Sequence, residues 1–371
     1  MLFLKCYIFT LAFNVMITVR GATLALANGL VLQGQALGVN GIVSGELVFN
    51  TAMTGFKEAL TDPSYAGQVL VFSYPLVGNY GFGGKAESGS FQASAVVVSE
   101  ASDFFAHRHS KMTLDEFLRE NNAIGIAGVD TRLLVKTIRD GGAVACVLQA
   151  GGSLSNEELV SKAKGFDYSS IDFVEKVSTK EKKVFTPVNA EKRLVVVDCG
   201  CKQSIVNELL KRRCEVIMVS AYATANEILQ LEPDGVLFSN GPGDPKIMKK
   251  TVECCRQLTD YLPIFGICLG HQILAHALGG DTQKLKFGHH GANHAVTDVI
   301  NRKTIITSQN HGFTVSVMPR NTLPWFVNQV DGSNEGLKHQ DLPLMSVQFH
   351  PEAGPGPWDA AYLFDEFVKK L

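Results

Sequence analysis

The sequence predicts an α/β fold, in which a doubly wound, mostly parallel sheet domain follows a smaller strand-rich α/β domain. The chain has 371 residues, 46% of them apolar, which is too long for one ordinary core. After residue 193, apolar strands alternate with amphipathic helices, as they do in doubly wound sheets. A charged segment with few apolar residues, 175–192, separates this region from a strand-rich one and is interpreted as a linker.

We assign residues 23–174 to the N-terminal domain, which opens with a hairpin that turns at Asn28–Gly29. Thr113 and Glu116 have the spacing of a capping box and mark a helix start. The predicted strands are 45–53, 67–74 and 94–100, and the predicted helices are 111–122 and 131–142.

Residues 193–371 form the second predicted domain, in which strands and helices alternate through right-handed crossovers. The predicted strands are 193–200, 214–220, 234–240 and 263–268, and the predicted helices are 203–213, 224–231, 246–260 and 271–280.

Composition excludes several classes of function. Lys and Arg total 34 against 36 Asp and Glu, so the formal charge is −2 and we expect no nucleic-acid partner. No apolar run after residue 20 is long enough to cross a bilayer, so we expect no membrane partner. The eight cysteines lack the paired spacing of a zinc site and are too sparse for a disulfide framework. We therefore expect reduced thiols.

Residues 1–22 form an extension with two open interpretations. Lys5 precedes an apolar run, and Ala25–Ala27 resembles a cleavage site, which favours a targeting signal. Arg20 interrupts that pattern, and cleavage after Ala27 would cut into the first hairpin. The alternative is a mis-assigned start, with Met16 or a nearby codon as the true one.

The end of the strand at 263–268 carries the clearest chemical signal. Gly266, Cys268 and Gly270 form a G-x-C-x-G pattern between an apolar strand and a helix. This is the thiol version of a nucleophile elbow, in which glycines permit a sharp turn. The turn sets the sulfur at a helix N-terminus, where the dipole favours the thiolate. The alternative is a buried structural cysteine.

A second strand end, 239–245, reads Ser-Asn-Gly-Pro-Gly-Asp-Pro. Such a loop exposes backbone N–H groups, so Gly241 to Gly243 are candidates for an oxyanion hole together with the N–H of Leu269. The alternative is an ordinary turn.

A thiol nucleophile also needs a base and a group that orients it. His350 and Glu352 lie two residues apart at the end of an extended segment, so their side chains share a face, and Pro351 fixes the backbone between them. Glu352 could hold the imidazole in one tautomer. The alternative is a structural histidine at a strand end.

Two other patterns are partly similar to a metal site and to an ATP site, but each lacks the spacing that such a site requires. His289, His290 and His294 lie in a glycine-interrupted segment without a zinc-binding signature, so we expect no metal site. Residues 78–85 are glycine-rich but lack the P-loop spacing, so we expect no ATP site in this chain.

Together, G-I-C-L-G-H-Q, S-N-G-P-G-D-P and F-H-P-E make the chain resemble a class I glutamine amidotransferase. GELVFNTAMTGFKEALTDPSYAGQVLVFSYPLVGNYG and GVDTRLLVKTIRDGGA resemble the N-terminal domain of the carbamoyl-phosphate synthase small chain. The resemblance runs from about Thr23 to Leu371.

The resemblance implies a role for each matching residue. Cys268 matches the nucleophile, His350 the acid/base and Glu352 the orienting carboxylate. The positions that match glutamine-binding residues are Ser64, Gly241, Gly243, Leu269, Gln272, Asn310, Gly312 and Phe313.

The resemblance also implies the setting of the reaction. L-glutamine would be the substrate, and the ammonia would pass to a separate carbamoyl-phosphate synthase large chain, for pyrimidine and arginine biosynthesis. ATP and its metal ions are expected on that large chain, with no cofactor in this one. We expect a cytoplasmic location, with targeting by residues 1–20 left open. The alternative is a stand-alone thiol amidohydrolase on the same fold.

Overall fold

A closed seven-stranded barrel is the centre of the N-terminal half in the computed structural model, which describes residues 20–84 and 86–371. The extension at 1–22 lies almost entirely outside the described residues. The barrel order is β1-β11-β3-β4-β7-β10-β2. The strands of this half are β1 Gly21–Leu26, β2 Val31–Gly38, β3 Gly41–Asn50, β4 Gln68–Phe72, β5 Leu76–Val77, β6 Phe82–Gly83, β7 Ala95–Val97, β8 Glu100–Ala101, β9 Ser110–Met112, β10 Ile124–Ala127 and β11 Val144–Ala150.

The first hairpin confirms the sequence prediction. β1 and β2 pair antiparallel with Ala25 opposite Val31, and the turn uses Gly29 at φ 95°. Positive φ suits glycine because it has no Cβ. The predicted strand 45–53 instead spans Gly41–Asn50, because its first seven residues pair with β11 and close the barrel.

Five helices pack around the barrel or follow it. The capping box is present: the Thr113 side chain accepts from the Glu116 N–H, and Glu116 accepts from the Thr113 N–H. The helix predicted at 111–122 begins at Leu114, because 110–112 pairs with β6 as β9. The helices are α1 Phe56–Leu60, α2 Leu114–Glu120, α3 Thr131–Gly141, α4 Asn156–Lys164 and α5 Val174–Val177, with short 3₁₀ turns at Pro63–Tyr65 and Tyr168–Ser170.

A ten-stranded sheet organises the second half, in the order β12-β14-β13-β15-β16-β21-β20-β19-β17-β18. Its strands are β12 Lys183–Phe185, β13 Lys192–Asp198, β14 Cys214–Ser220, β15 Gly235–Phe238, β16 Ile264–Ile267, β17 Asp281–Asp298, β18 Lys303–Val317, β19 Thr322–Asn328, β20 Asn334–His339 and β21 Leu344–Val347. Its helices are α6 Gln203–Lys211, α7 Ala225–Leu229, α8 Lys249–Leu258, α9 Leu269–Ala277 and α10 Tyr362–Val368, with a 3₁₀ turn at Pro245–Ile247.

The parallel part of this sheet is β14-β13-β15-β16-β21, and helices cover both of its faces. Alternate β13 residues face opposite sides: Val195 packs with α7, α8 and α9, while Val196 packs with α6 and α10. This confirms the doubly wound prediction. The antiparallel strands β20, β19, β17 and β18 extend the sheet beyond what the sequence predicted.

The segment 175–192 is not a plain linker. It completes α5 and contributes β12, which pairs antiparallel with β14 at the sheet edge. Its charged residues remain exposed there, which explains the low apolar content that the sequence shows.

Seven cysteines lie in the described part of the chain and all seven have free thiols, as expected. Within the same residues, no helix combines the length and apolar character needed to span a bilayer.

Candidate active site

The turn between β16 and α9 has the geometry of a nucleophile elbow. Cys268 occupies it with φ 54° and ψ −101°, a conformation that L residues rarely adopt. A Cβ on Gly266 would lie 2.5 Å from the Gly270 carbonyl oxygen, and one on Gly270 would lie 2.0 Å from the Phe238 carbonyl oxygen. Both glycines are therefore required for the close approach of strand and helix.

His350 and Glu352 form a buried pair beside this turn. The distance between His350 Nδ1 and Glu352 Oε1 is 2.6 Å, and His350 is 2% exposed. Burial disfavours the charged ring, but the Glu352 carboxylate and an interaction with the Cys268 thiol raise the pKa of His350 to about 10. The imidazole therefore has one nitrogen fixed by the carboxylate, while its Nε2 is buried without a hydrogen-bond partner among the described residues, and the Cys268 thiol donates to the Asn310 carbonyl at 3.6 Å.

The positive charge of Lys202 lies next to the Glu352 carboxylate of this pair. Its Nζ lies 3.1 Å from Glu352 Oε1 and donates to the Ala353 carbonyl at 2.6 Å. Burial alone would raise the pKa of Glu352, but the charges of Lys202 and His350 lower it to about 2. Glu352 is therefore ionised at neutral pH although it is buried.

A pocket opens in front of Cys268 between the two domains. The barrel domain supplies Glu46, Ser64 and Gln68, and the sheet domain supplies most of the rest. The sequence-predicted residues that line it are Ser64, Gly241, Gly243, Cys268, Gln272, Asn310, Gly312 and Phe313.

Three predicted residues lie outside this lining. The Leu269 side chain packs into the sheet core, so only its backbone remains available to the site. His350 lines a second cavity, and Glu352 lines a third one that shares Gly354 and Pro355 with the second. Cys268 and His350 therefore line different cavities.

The loop at 239–245 lies over the same helix end as the thiol. A Cβ on Gly241 would lie 2.1 Å from the Cys199 carbonyl oxygen, so a glycine is needed there. The Gly243 N–H, expected as an oxyanion donor, instead donates to the Tyr168 hydroxyl at 3.0 Å. The Gly241 and Leu269 N–H groups are the remaining expected donors.

A buried polar network joins the barrel domain to the sheet domain under the pocket. Asp62 accepts from the Ser64 N–H at 2.9 Å and from Asn310 Nδ2 at 3.1 Å. Asn240 Nδ2 donates to Ser64 Oγ at 2.9 Å. Buried polar groups at such a contact must be paired, so these bonds fix one arrangement of the domains.

Sequence reasoning missed several residues of the site: Glu46, Asp62, Gln68, Tyr168, Lys202 and Asn240. Glu46 carried a usable signal, because it is a carboxylate inside an apolar strand, and it forms an ion pair with Lys284. The partners of the other residues lie far away in sequence, so no local pattern marks them.

One group of side chains has the composition of a metal site. Among the described residues, ligand atoms of His289, His311 and Glu335 lie within 4.8 Å of one another. Of the three histidines considered from the sequence, His290 and His294 lie outside this group.

The fold and this site define a class of protein, and sequence comparison supports it. The family described as "Glutamine amidotransferase class-I" matches residues 195–370. The family described as "Carbamoyl-phosphate synthase small chain, CPSase domain" matches residues 24–148.

Curated relatives extend the match to nearly the whole chain. A protein of Methanopyrus kandleri named carbamoyl phosphate synthase small chain is 47% identical over 355 residues, covering 94% of this chain and 98% of its own. Proteins of the same name from Methanocaldococcus jannaschii and Chlorobaculum tepidum are 45% and 44% identical, covering 94% of this chain and 98% and 97% of their own.

The chain is thus a class I glutamine amidotransferase. It belongs to the carbamoyl phosphate synthase small chain family and is a glutamine-hydrolysing subunit, which confirms the fold class and the activity expected from the sequence.

Proposed function

We propose that Cys268, His350 and Glu352 are the catalytic triad of this glutamine-hydrolysing subunit. The observation that carries the proposal is the buried His350–Glu352 pair at 2.6 Å, set beside a thiol at a strand-to-helix elbow. A base that is oriented by a carboxylate and directed to a nucleophile is the arrangement that acyl transfer needs.

The reaction proceeds through a thioester. The Cys268 thiolate attacks the side-chain amide carbon of glutamine, and the N–H groups of Gly241 and Leu269 stabilise the oxyanion. His350 gives its proton to the leaving nitrogen, so the C–N bond breaks and ammonia departs. His350 then takes a proton from water, which attacks the thioester and releases glutamate and the thiolate.

The pocket in front of Cys268 holds the glutamine. It presents the Ser64 hydroxyl and the edge of Asn310 to Phe313 for the polar atoms of glutamine, while the Glu46 carboxylate in its lining is already paired with Lys284. Gln272 shapes this wall, because its Nε2 donates to the Phe313 carbonyl at 3.0 Å. No cofactor takes part in these steps.

The second cavity is the ammonia exit. It shares Asn310 with the glutamine pocket, has His350 and Lys202 in its lining, and opens where its exposed lining residues Thr54 and Pro355 lie. Ammonia that became protonated or escaped to solvent at this opening would no longer be available for synthesis. We therefore expect the protein that uses the ammonia to cover the opening.

That consumer is a large synthetase chain, which supplies the ATP and bicarbonate chemistry that makes carbamoyl phosphate. Two exposed apolar side chains lie next to residues of this opening: Met53, 70% exposed, follows Ala52 in the chain, and Trp358, 71% exposed, lines the third cavity, which shares Gly354 and Pro355 with the second. Exposed apolar residues around a functional opening are typical of a protein interface. We place the docking face of the large chain on this rim.

The test uses the complex. We expect Cys268→Ala, assembled with the candidate large chain, to lose glutamine-dependent carbamoyl phosphate synthesis and to retain ammonia-dependent synthesis. Synthesis that still proceeds from glutamine would show that Cys268 is not the nucleophile. A small chain that binds no large chain would refute the partner assignment.

A further inference from the structure

A buried polar cluster lies behind the wall of the glutamine pocket, on strands β17, β18 and β20, with β19 between β20 and β17. His289 comes from β17, His311 from β18 and Glu335 from β20. Glu335 is fully buried, and its Oε2 has no hydrogen-bond partner among residues 20–84 and 86–371. A buried carboxylate is costly unless a nearby charge compensates it, so this cluster requires an explanation.

His289 has a carboxylate at each ring nitrogen. Its Nε2 lies 2.8 Å from Asp331 Oδ2, and its Nδ1 lies 3.3 Å from Glu335 Oε1. An imidazole can satisfy two acceptors only when both nitrogens carry protons. Burial lowers the pKa of His289, but the hydrogen bond and charge of Glu335, followed by those of Asp331, raise it.

Burial disfavours a charge on the other rings that face the cluster. It lowers the pKa of His290 and of His294 to about 4, and it lowers that of His311 as well. The pKa of His289 is raised instead, so this ring is the group of the four suited to compensate Glu335, whose own pKa is raised by burial.

The cluster is better suited to a proton than to a metal ion. Asn328 Nδ2 donates to Glu335 Oε1 at 2.9 Å and lies 3.5 Å from His289 Nδ1. The Glu335 oxygen thus already accepts from an amide donor, which would have to move before a cation could bind there.

The charge pair is in direct contact with the pocket wall. The His311 ring packs edge-on against His289, with centroids 4.8 Å apart, and its Nε2 lies 3.1 Å from Gln309 Oε1 and 4.0 Å from Glu335 Oε1. Its Nδ1 lies 2.8 Å from the Phe313 carbonyl oxygen, the same atom that accepts from Gln272. The pair therefore supports the stretch 310–313, which lines the pocket.

We propose that Glu335 and His289 are positioning residues for glutamine binding: their buried ion pair fixes His311 and, through it, the pocket edge formed by 310–313. This inference rests on the proposed function, since it needs glutamine to bind at that edge. Neither side chain lines the pocket or contacts the triad, so the expected effect is on substrate affinity and not on the chemical step.

The experiment measures KM and kcat for glutamine in the assembled complex. We expect Glu335→Gln to raise KM about tenfold, since a hydrogen bond to a charged group is worth about that factor, with kcat changed less than about twofold. Ammonia-dependent synthesis should be unchanged. The matched control is Asp298→Asn, which alters a buried carboxylate at the last residue of β17 that accepts from Trp325 Nε1 at 3.2 Å. We expect it to leave KM unchanged.

A second comparison separates positioning from general destabilisation. In His289→Gln/Glu335→Gln neither charge is left unpaired, so we expect KM to recover part of the way toward wild type. Glu335→Asp keeps the negative charge, so we expect it to raise KM less than Glu335→Gln does. If Glu335→Gln does not fold, KM is measured in Glu335→Asp instead.

Three results would overturn the inference: an unchanged KM in Glu335→Gln, a fall in kcat with KM unchanged, or one tightly bound zinc ion per chain that Glu335→Gln removes. The proposed function is tested separately. If it is wrong, Cys268→Ala still hydrolyses glutamine, whichever result the Glu335 variants give.

Discussion

The barrel domain and the sheet domain contribute to the same pocket in different ways. The sheet domain holds the proposed reacting groups at strand ends, where Cys268 and His350 are fixed by close backbone packing. The barrel domain contributes polar side chains from its rim, chiefly Ser64 and Asp62. In the proposed function, chemistry therefore depends on one domain, and substrate binding depends on both.

The interiors of the two domains explain this division. The inside of the barrel is filled by apolar side chains such as Leu24, Val69, Val97 and Leu148, which leave no room for a ligand. Parallel strands instead end together at one edge, where loops and helix N-termini meet. The barrel can act only at its surface, and there it closes the pocket that the sheet domain leaves open.

The largest expected effect is in the sheet domain. We expect His350→Asn to lower kcat for glutamine hydrolysis by about 10²–10⁴-fold, the range that general acid–base catalysis contributes. His339→Asn is the matched control, since His339 only accepts backbone N–H groups of a loop after β20. Steady-state glutaminase assays check both variants, and hydrolysis by His350→Asn at more than a tenth of the wild-type rate would contradict the assignment.

A smaller loss is expected for the carboxylate of the same domain. Glu352→Gln removes the charge that raises the pKa of His350, so that pKa should fall from about 10 toward its ordinary value. We expect kcat to drop roughly 10- to 100-fold, and the alkaline limb of the pH profile to move to lower pH. An alkaline limb that does not move would show that Glu352 does not control the imidazole.

The same pair makes a pH-dependent contribution to stability. His350, with its raised pKa, stabilises the fold below pH 6.5 and loses this contribution as the pH rises through about 10. Glu352, with its lowered pKa, stabilises it above pH 4.5 and loses this contribution as the pH falls through about 2. The difference in unfolding free energy between wild type and Glu352→Gln should therefore be largest between pH 4.5 and 6.5, as denaturant titrations can measure.

The parts of the site that local sequence patterns predict lie in the sheet domain, and the parts that they do not predict are contacts between distant segments. The elbow at Cys268 and the pair His350–Glu352 are local patterns, so the sequence alone predicted them. Asp62 and Asn240 acquire their roles only when distant segments meet, since Asp62 bonds Asn310 across 248 residues. Local patterns carry no information about such contacts.

The fold shows the same limit. The alternating strands and helices after residue 193 predicted the parallel sheet, because periodicity is a local property. Closure of the barrel depends on β11 pairing with both β1 and β3, and the long strands β17 and β18 are interrupted by bulges that disguise their period. Pairing of distant strands and bulged strands therefore escaped prediction.

In the barrel domain, a change at the pocket should affect binding and not chemistry. Asp62→Ala removes the acceptor of the Ser64 and Asn310 bonds, so we expect KM for glutamine to rise about 5- to 10-fold with kcat nearly unchanged. Asp130→Ala is the matched control: Asp130 also caps a helical turn, accepting from the Leu133 N–H, but lies away from the pocket. A kcat loss in Asp62→Ala that equals the KM effect would contradict the division between the domains.

The smallest effects compare the two domains directly. Thr113 caps α2 in the barrel domain and Thr224 caps α7 in the sheet domain, each through a complete capping box. Thr113→Ala and Thr224→Ala should each cost about 1 kcal/mol, with glutaminase kinetics unchanged. Calorimetry reports which unfolding transition each variant shifts.

We expect both variants to shift one shared unfolding transition. The two domains are joined by buried hydrogen bonds and an ion pair, and each domain supplies only one partner of each. Asp62–Asn310, Ser64–Asn240 and the Glu46–Lys284 ion pair all cross the contact. Opening it would expose these groups and leave them without the partners they have when folded, which couples the two unfolding reactions. Two separate transitions, each shifted by only one variant, would show instead that the pocket joins two domains that fold independently.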